Sequence, residues 1–269
     1  MFMRVVKKFI LDIYNKRELL LELAKRDFQN QYMGSYLGFV WIYLQPLLFV
    51  SVIYMIFNLG LKGATGTTDV PFVVYLIIGI VPWFYISGNL TTNTRVISQH
   101  SFLLKKVDFR LSIIPMVNLI SSLPAHLFLI SIAIIIAMIN GIYPSLYIFQ
   151  LIYYFLAMSI LLLGIGWLTS SSQLFITDVS KIINLVVTFG FWLTPIFWNA
   201  QRIPEQYKWI LHLNPFAYIV DGYRDSIYLH IGFWEKPYET FFFWIITFSF
   251  LLIGIVVFKK LRPHFAEVV

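Results

Sequence analysis

The chain has 269 residues, of which 59% are hydrophobic, 19% aromatic and only 12% charged, with a formal net charge of +7 and a mean hydropathy of +0.78. Soluble domains carry about 25% charged residues, so this composition excludes an ordinary soluble fold and implies an integral membrane protein. Cysteine is absent, which rules out disulfides and thiolate metal sites.

Residues 1–35 are charged and read as a cytoplasmic N-terminal segment without a cleavable leader. Within it Leu19, Leu20, Leu23 and Phe28 form one helical stripe among charged neighbours, the pattern of an amphipathic helix lying in the headgroup interface. A plain membrane anchor is the alternative. Six apolar stretches follow, at about 36–61, 71–92, 111–140, 145–170, 182–198 and 241–258. They run without period-2 alternation, so they predict helices rather than a barrel. Most reach the roughly 20 residues that a bilayer's hydrocarbon core requires. The fifth is short, and the third is long enough to imply tilt or a break.

Pro46, Pro82, Pro115, Pro124 and Pro195 fall inside these stretches and predict kinks. Gly34 and Gly38 make a GxxxG pattern that would suit a close helix–helix face. The segment 199–240 is too apolar for a solvated loop and too interrupted for a span, so short re-entrant helices are expected at about 201–230. Asp221, Arg224 and Asp225 would then lie just outside the membrane or at its interface. The fold expected is all-α: an N-terminal interface helix, a six-helix transmembrane domain over 36–258, and a basic cytoplasmic tail over 259–269.

Fifteen of the twenty Lys and Arg fall in 1–35, 93–110, 171–181 and the tail. That side is cytoplasmic by the positive-inside rule, with both termini inside. The basic balance thus reflects topology and requires no nucleic acid. Loop 93–110 holds Ser101, Phe102, Leu103 and Leu104 ahead of Lys105 and Lys106. An apolar face beside a basic one suits either docking on a cytoplasmic partner or contact with lipid.

Charged and imidazole side chains are nearly missing from the apolar stretches, where His126 stands alone. Ionisable groups within the membrane mark proton relays, ion sites and catalytic centres, so a chain with one histidine is expected to form a pathway that another component powers. No GxxxxGK[ST] loop, HExxH or histidine–carboxylate cluster occurs, and no metal or bound cofactor is expected. An external group of Asp221, Arg224, Asp225 and Glu235 leaves a membrane lipid-sugar transferase as one alternative, and His126 leaves an ion-coupled secondary transporter as another. Aromatic residues at Trp41, Trp83, Tyr85, Trp192, Phe197 and Trp198 suit a pathway for carbohydrate, because a sugar's C–H face packs on a ring. Interfacial belts are the competing reading for Trp198.

Four stretches in order resemble the transmembrane subunit of ABC-2 type polysaccharide exporters. They are Arg17-Glu18-Leu19 through Arg26-Asp27-Phe28 with Gln45-Pro46-Leu47; Leu104-Lys105-Lys106-Val107 with Ile113-Ile114-Pro115; Leu193-Thr194-Pro195-Ile196-Phe197-Trp198; and Leu213-Asn214-Pro215-Phe216-Ala217-Tyr218 with Gly222-Tyr223-Arg224. The resemblance implies a homodimeric permease in the bacterial cytoplasmic membrane, paired with two copies of a separate ATPase that uses ATP and Mg. It implies that 93–110 couples to that ATPase and that Tyr218, Asp221, Tyr223 and Arg224 belong to an external gate. Lys25, Arg26, Arg4, Lys7 and Lys8 would meet either a pyrophosphate headgroup or phospholipid at the entrance. Val70-Pro71-Phe72, Ile139-Asn140-Gly141 and His264-Phe265-Ala266 are similar to the teichoic acid branch. The resemblance thus implies wall teichoic acid as the expected cargo, with an O-antigen or capsular polysaccharide, whose exporters share the same frame, as the alternative.

Overall fold

The computed structural model of the chain describes residues 16–30, 36–38, 40–56, 70–101, 111–200, 203–207 and 209–265. Among these residues the fold is entirely helical. Four helical stretches are long and apolar enough to cross a membrane: Phe72–Gln99, Leu111–Ile139, Leu146–Gln173 and Pro237–His264. They answer to the second, third, fourth and sixth expected spans. The other two expected spans appear as shorter helices.

Helix α1 (Arg17–Asn30) buries Leu20 and Ala24 against Ile113 and Val117, while Leu19 and Leu21 stay exposed. Its apolar stripe therefore packs partly on the protein, and Ser121 Oγ donates to Asp27 Oδ2 at 2.8 Å across the same contact. Helix α2 (Val40–Met55) contains Pro46. Gly38 sits before it in a turn at φ 50, a left-handed backbone, so it lies on no helix face. Gly34 lies outside the described residues.

Helix α3 (Phe72–Gln99) is the centre of the bundle. A helix that is apolar all round belongs in the interior, and Val74 through Val81 are all nearly inaccessible. The third apolar stretch breaks as its length implied. A 3₁₀ turn (Leu111–Ile113) leads into α4 (Ile114–Ser121), and after Ser122 the chain restarts as α5 (Leu123–Ile139). Pro115 and Pro124 each occupy the first turn of a helix, where the missing N–H costs nothing.

Helix α6 (Gln150–Gln173) packs along α10 (Pro237–Leu261) at a glycine contact. A Cβ on Gly254 would lie 2.3 Å from the carbonyl oxygen of Gly164, and one on Gly164 would meet the Leu251 backbone at 2.7 Å. Helix α7 (Asp178–Leu193) begins four residues earlier than expected and stops before Pro195. The expected span 182–198 with an internal kink is thereby corrected: the proline follows the helix instead of bending it, because residue 194 is driven to extended backbone ahead of a proline. Beyond it lie α8 (Trp209–His212) and α9 (Pro215–Arg224), then a π-helical turn (Asp225–Leu229) closed by His230 at φ 55. The end of the bundle where α3 begins and α5 finishes carries these short helices and is called the upper end below.

Candidate functional site

The break after α7 leaves carbonyl groups without helical donors in a buried place, and α9 supplies the donor that takes them. Arg224 is 2% exposed. Its Nη1 donates to the carbonyl of Pro195 at 2.6 Å and to Asp221 Oδ1 at 3.1 Å, while Nη2 donates to the carbonyl of Ile196 at 2.7 Å. The guanidinium also lies 3.6 Å over the ring of Tyr75, whose hydroxyl donates to the carbonyl of Trp198 at 2.7 Å. A planar fork with donors at fixed angles suits this bridging better than an ammonium would. Gly79 makes room for it, since a Cβ there would stand 2.6 Å from Nη2. Asn214 caps α9 through Phe216 N and donates to Thr194 Oγ1 at 3.0 Å, so a second side chain ties α9 to the same break.

Asp225, one residue on, is 1% exposed and accepts from Lys236 Nζ at 2.5 Å. Burial pushes its carboxyl up to about 6, against the opposing pull of Lys236. Arg224 and Asp225, expected just outside the membrane or at its interface, are both buried within the protein. Tyr223, between α9's other buried residues, bonds its hydroxyl to His126 Nε2 at 2.7 Å. The lone histidine of the apolar stretches is thus a tether between α5 and the short upper helix. Below it runs a ladder of neutral groups: Asn89 Nδ2 donates to Ser122 Oγ at 3.0 Å, and Asn118 Nδ2 donates to Asn89 Oδ1 at 3.0 Å and to Thr92 Oγ1 at 2.6 Å. Trp41, Gln45, Phe84, Asn89 and His126 border a cavity of 260 Å³ beside this ladder.

The expected site residues separate into groups. Tyr218, Asp221, Tyr223 and Arg224 all lie on α9. Trp83 and Tyr85 are buried in the core, with Trp83 packed on Phe191 and Phe216 and the Tyr85 hydroxyl donating to the carbonyl of Leu119. Trp41 and Trp192 are exposed, whereas Phe197 is buried and Trp198 donates Nε1 to the carbonyl of Trp192. Lys25 and Arg26 are exposed on α1, and Ser101, two residues past the end of α3, is half-buried. Arg4, Lys7, Lys8, Phe102, Leu103, Leu104, Lys105 and Lys106 lie outside the described residues. Among the described residues no cluster of three or more histidines and carboxylates is suited to a metal ion. Asp225 and Lys236 were not paired in the sequence reading. The chain between them is not one helix, because the π-helical turn ends at His230 with φ 55 and a 3₁₀ turn follows, so no helical spacing links them, whereas Asp221 and Arg224 stand i,i+3 on α9.

The family model described as ABC-2 type transporter matches residues 18–228. The chain is 28% identical over 255 residues to the O-antigen export system permease protein RfbA of Klebsiella pneumoniae, covering 93% of this chain and 95% of that protein. It is 23% identical over 225 residues to the protein of that name from Myxococcus xanthus, covering 83% and 85%. It is 21% identical over 210 residues to the polysialic acid transport protein KpsM of Escherichia coli, covering 76% and 79%. With the family match running from α1 into the π-helical turn that follows the Arg224 clamp, the chain belongs to the ABC-2 type transporter family.

Proposed function

We propose that this chain is the membrane subunit of an exporter that carries a lipid-linked cell-surface polysaccharide across the bacterial cytoplasmic membrane, driven by ATP hydrolysis in a separate ATPase. The observation that carries this reading is near full-length similarity to permeases named for O-antigen export, in a chain whose sequence holds no P-loop. The positive-inside count puts the upper end outside and both termini inside. Segment 93–110 then faces the ATPase, and a population shift between closed and open states is passed through it. Two copies would share the pathway, with the apolar faces that α2 and α7 leave exposed turned toward the partner or the polymer.

An O-antigen or capsule polymer is the leading cargo, because the relatives carry those names. Wall teichoic acid is the second reading, favoured by Val70-Pro71-Phe72 and the turn at Ile139-Asn140-Gly141. Deletion of the gene should remove the polysaccharide from the cell surface and accumulate its lipid-linked precursor in the cytoplasmic leaflet. Purified alone, the chain should hydrolyse no nucleotide. Intact surface polymer in the deletion strain would reject the proposal.

A further inference from the structure

A cavity of 560 Å³ opens at the upper end between α8, α9 and the start of α10. Small-molecule sites span about 300–1,000 Å³, so the space fits one or more sugar rings. Trp209 stands on its wall with 58% of its surface exposed, and Tyr218 forms part of the side. The Tyr218 hydroxyl is fixed by Thr240 Oγ1 at 2.9 Å and Tyr153 at 3.0 Å. Asp221, Asp225 and Glu239 share the lining with Lys236.

The charges are unevenly engaged. Lys236 is committed to Asp225 Oδ2, and Asp221 Oδ1 to Arg224. Asp225 is closed off at 1% exposed, so the acceptors that the cavity can offer are Glu239, half-buried, and Asp221, whose side chain is 38% exposed. An ionised carboxylate only accepts. Such a wall welcomes hydroxyl donors, and phosphate, which is anionic and also lacks donors, gains nothing there and meets repulsion. An aromatic face beside carboxylates is the arrangement that recognises a sugar ring by its C–H face and its hydroxyl edge together.

We propose that this cavity binds a neutral, hydroxyl-bearing sugar unit of the exported glycan, stacked on Trp209 and donating to Asp221 and Glu239, and that it disfavours phosphodiester-linked polymers. The inference rests on the export reading and narrows its substrate class toward neutral glycans.

The test is saturation-transfer NMR on the full chain in zwitterionic nanodiscs, with lactose, maltose, mannobiose and diacetylchitobiose as neutral probes and glycerol 3-phosphate as the anionic one. At least one disaccharide should receive transfer and glycerol 3-phosphate none. Loss of one hydrogen bond to a charged group is worth about 1.5–3 kcal/mol, so Glu239→Gln should weaken the best probe about tenfold or more. Trp209→Ala should abolish its transfer. Glu239 is half-buried at the rim, which keeps that variant informative if the tryptophan variant unfolds. Absence of transfer to every disaccharide, transfer unchanged in Glu239→Gln, or stronger transfer to glycerol 3-phosphate would each overturn the inference. So would binding that appears only with added calcium, which would make the carboxylates a cation site. None of these readouts requires export, so their failure leaves the deletion test of the export reading untouched.

Discussion

Arg224 satisfies backbone that a proline has stripped of helical partners, and it does so out of water. Its replacement therefore removes a donor from two buried carbonyls at once, each costing about 1–3 kcal/mol when unsatisfied. Arg224→Met should lower stability by about 2–5 kcal/mol. Arg224→Lys should recover only part of that, since one ammonium cannot span both oxygens in the fork's geometry. Thermal unfolding of the purified protein followed by tryptophan fluorescence would read both, and a lysine variant as stable as the parent would remove the clamp from the account. Asp225 makes a pH prediction of definite sign. Its folded value of about 6 lies above the ordinary 3.8. Its favourable contribution is therefore complete below about 3.8 and is lost as pH rises through about 6, a change of about 3 kcal/mol at most. Asp225→Asn should flatten the fall in unfolding temperature across that window. An unchanged slope in the variant would assign it to another group.

At the scale of elements, α6 and α10 approach until only glycine fits at 164 and 254. Gly254→Val would force the two helices apart over the contact, and overpacking of this kind costs about 1–3 kcal/mol or more. The same substitution at Gly88, which has open space beside it, should cost much less and serves as the control in a thermal-shift comparison. Neither glycine of the α6–α10 contact was singled out in the sequence, because Gly164 and Gly254 belong to different stretches and share no motif. The apolar stretches themselves were legible, since hydrocarbon thickness imposes length and the absence of water imposes helices. The break near Ser122 was legible too, from excess length and two prolines. What could not be read was how segment 199–240 folds back. Arg224 and Asp225 look like a surface cluster in one dimension, and their burial depends on carbonyls near Pro195 and on Lys236, contacts that no local period encodes. His126 stands out in the sequence as the lone histidine of the apolar stretches, but its partner, Tyr223, lies 97 residues away.

For the molecule as a whole, the distribution of exposed apolar surface is the open physical problem. On α7, Ile182, Leu185, Val186, Phe189, Trp192 and Leu193 are all exposed, and only Ile183 is buried. On α2, Leu48, Val52 and Met55 are exposed as well. Lipid can cover such faces. However, α7 has only 16 residues, so it falls short of the roughly 20 that span the hydrocarbon core unaided. A short helix is better accommodated at a protein interface, where a neighbour shields its ends. If two copies meet there, a residue near the pseudo-axis on one copy faces its own counterpart on the other. The chain contains no cysteine, so single cysteines report without background. Leu185→Cys or Phe189→Cys should give a covalent dimer on mild oxidation in native membranes, and Ile152→Cys, exposed on α6, should not. A dimer trapped through position 152 and never through 185 or 189 would move the subunit contact off α7 and place that helix in lipid.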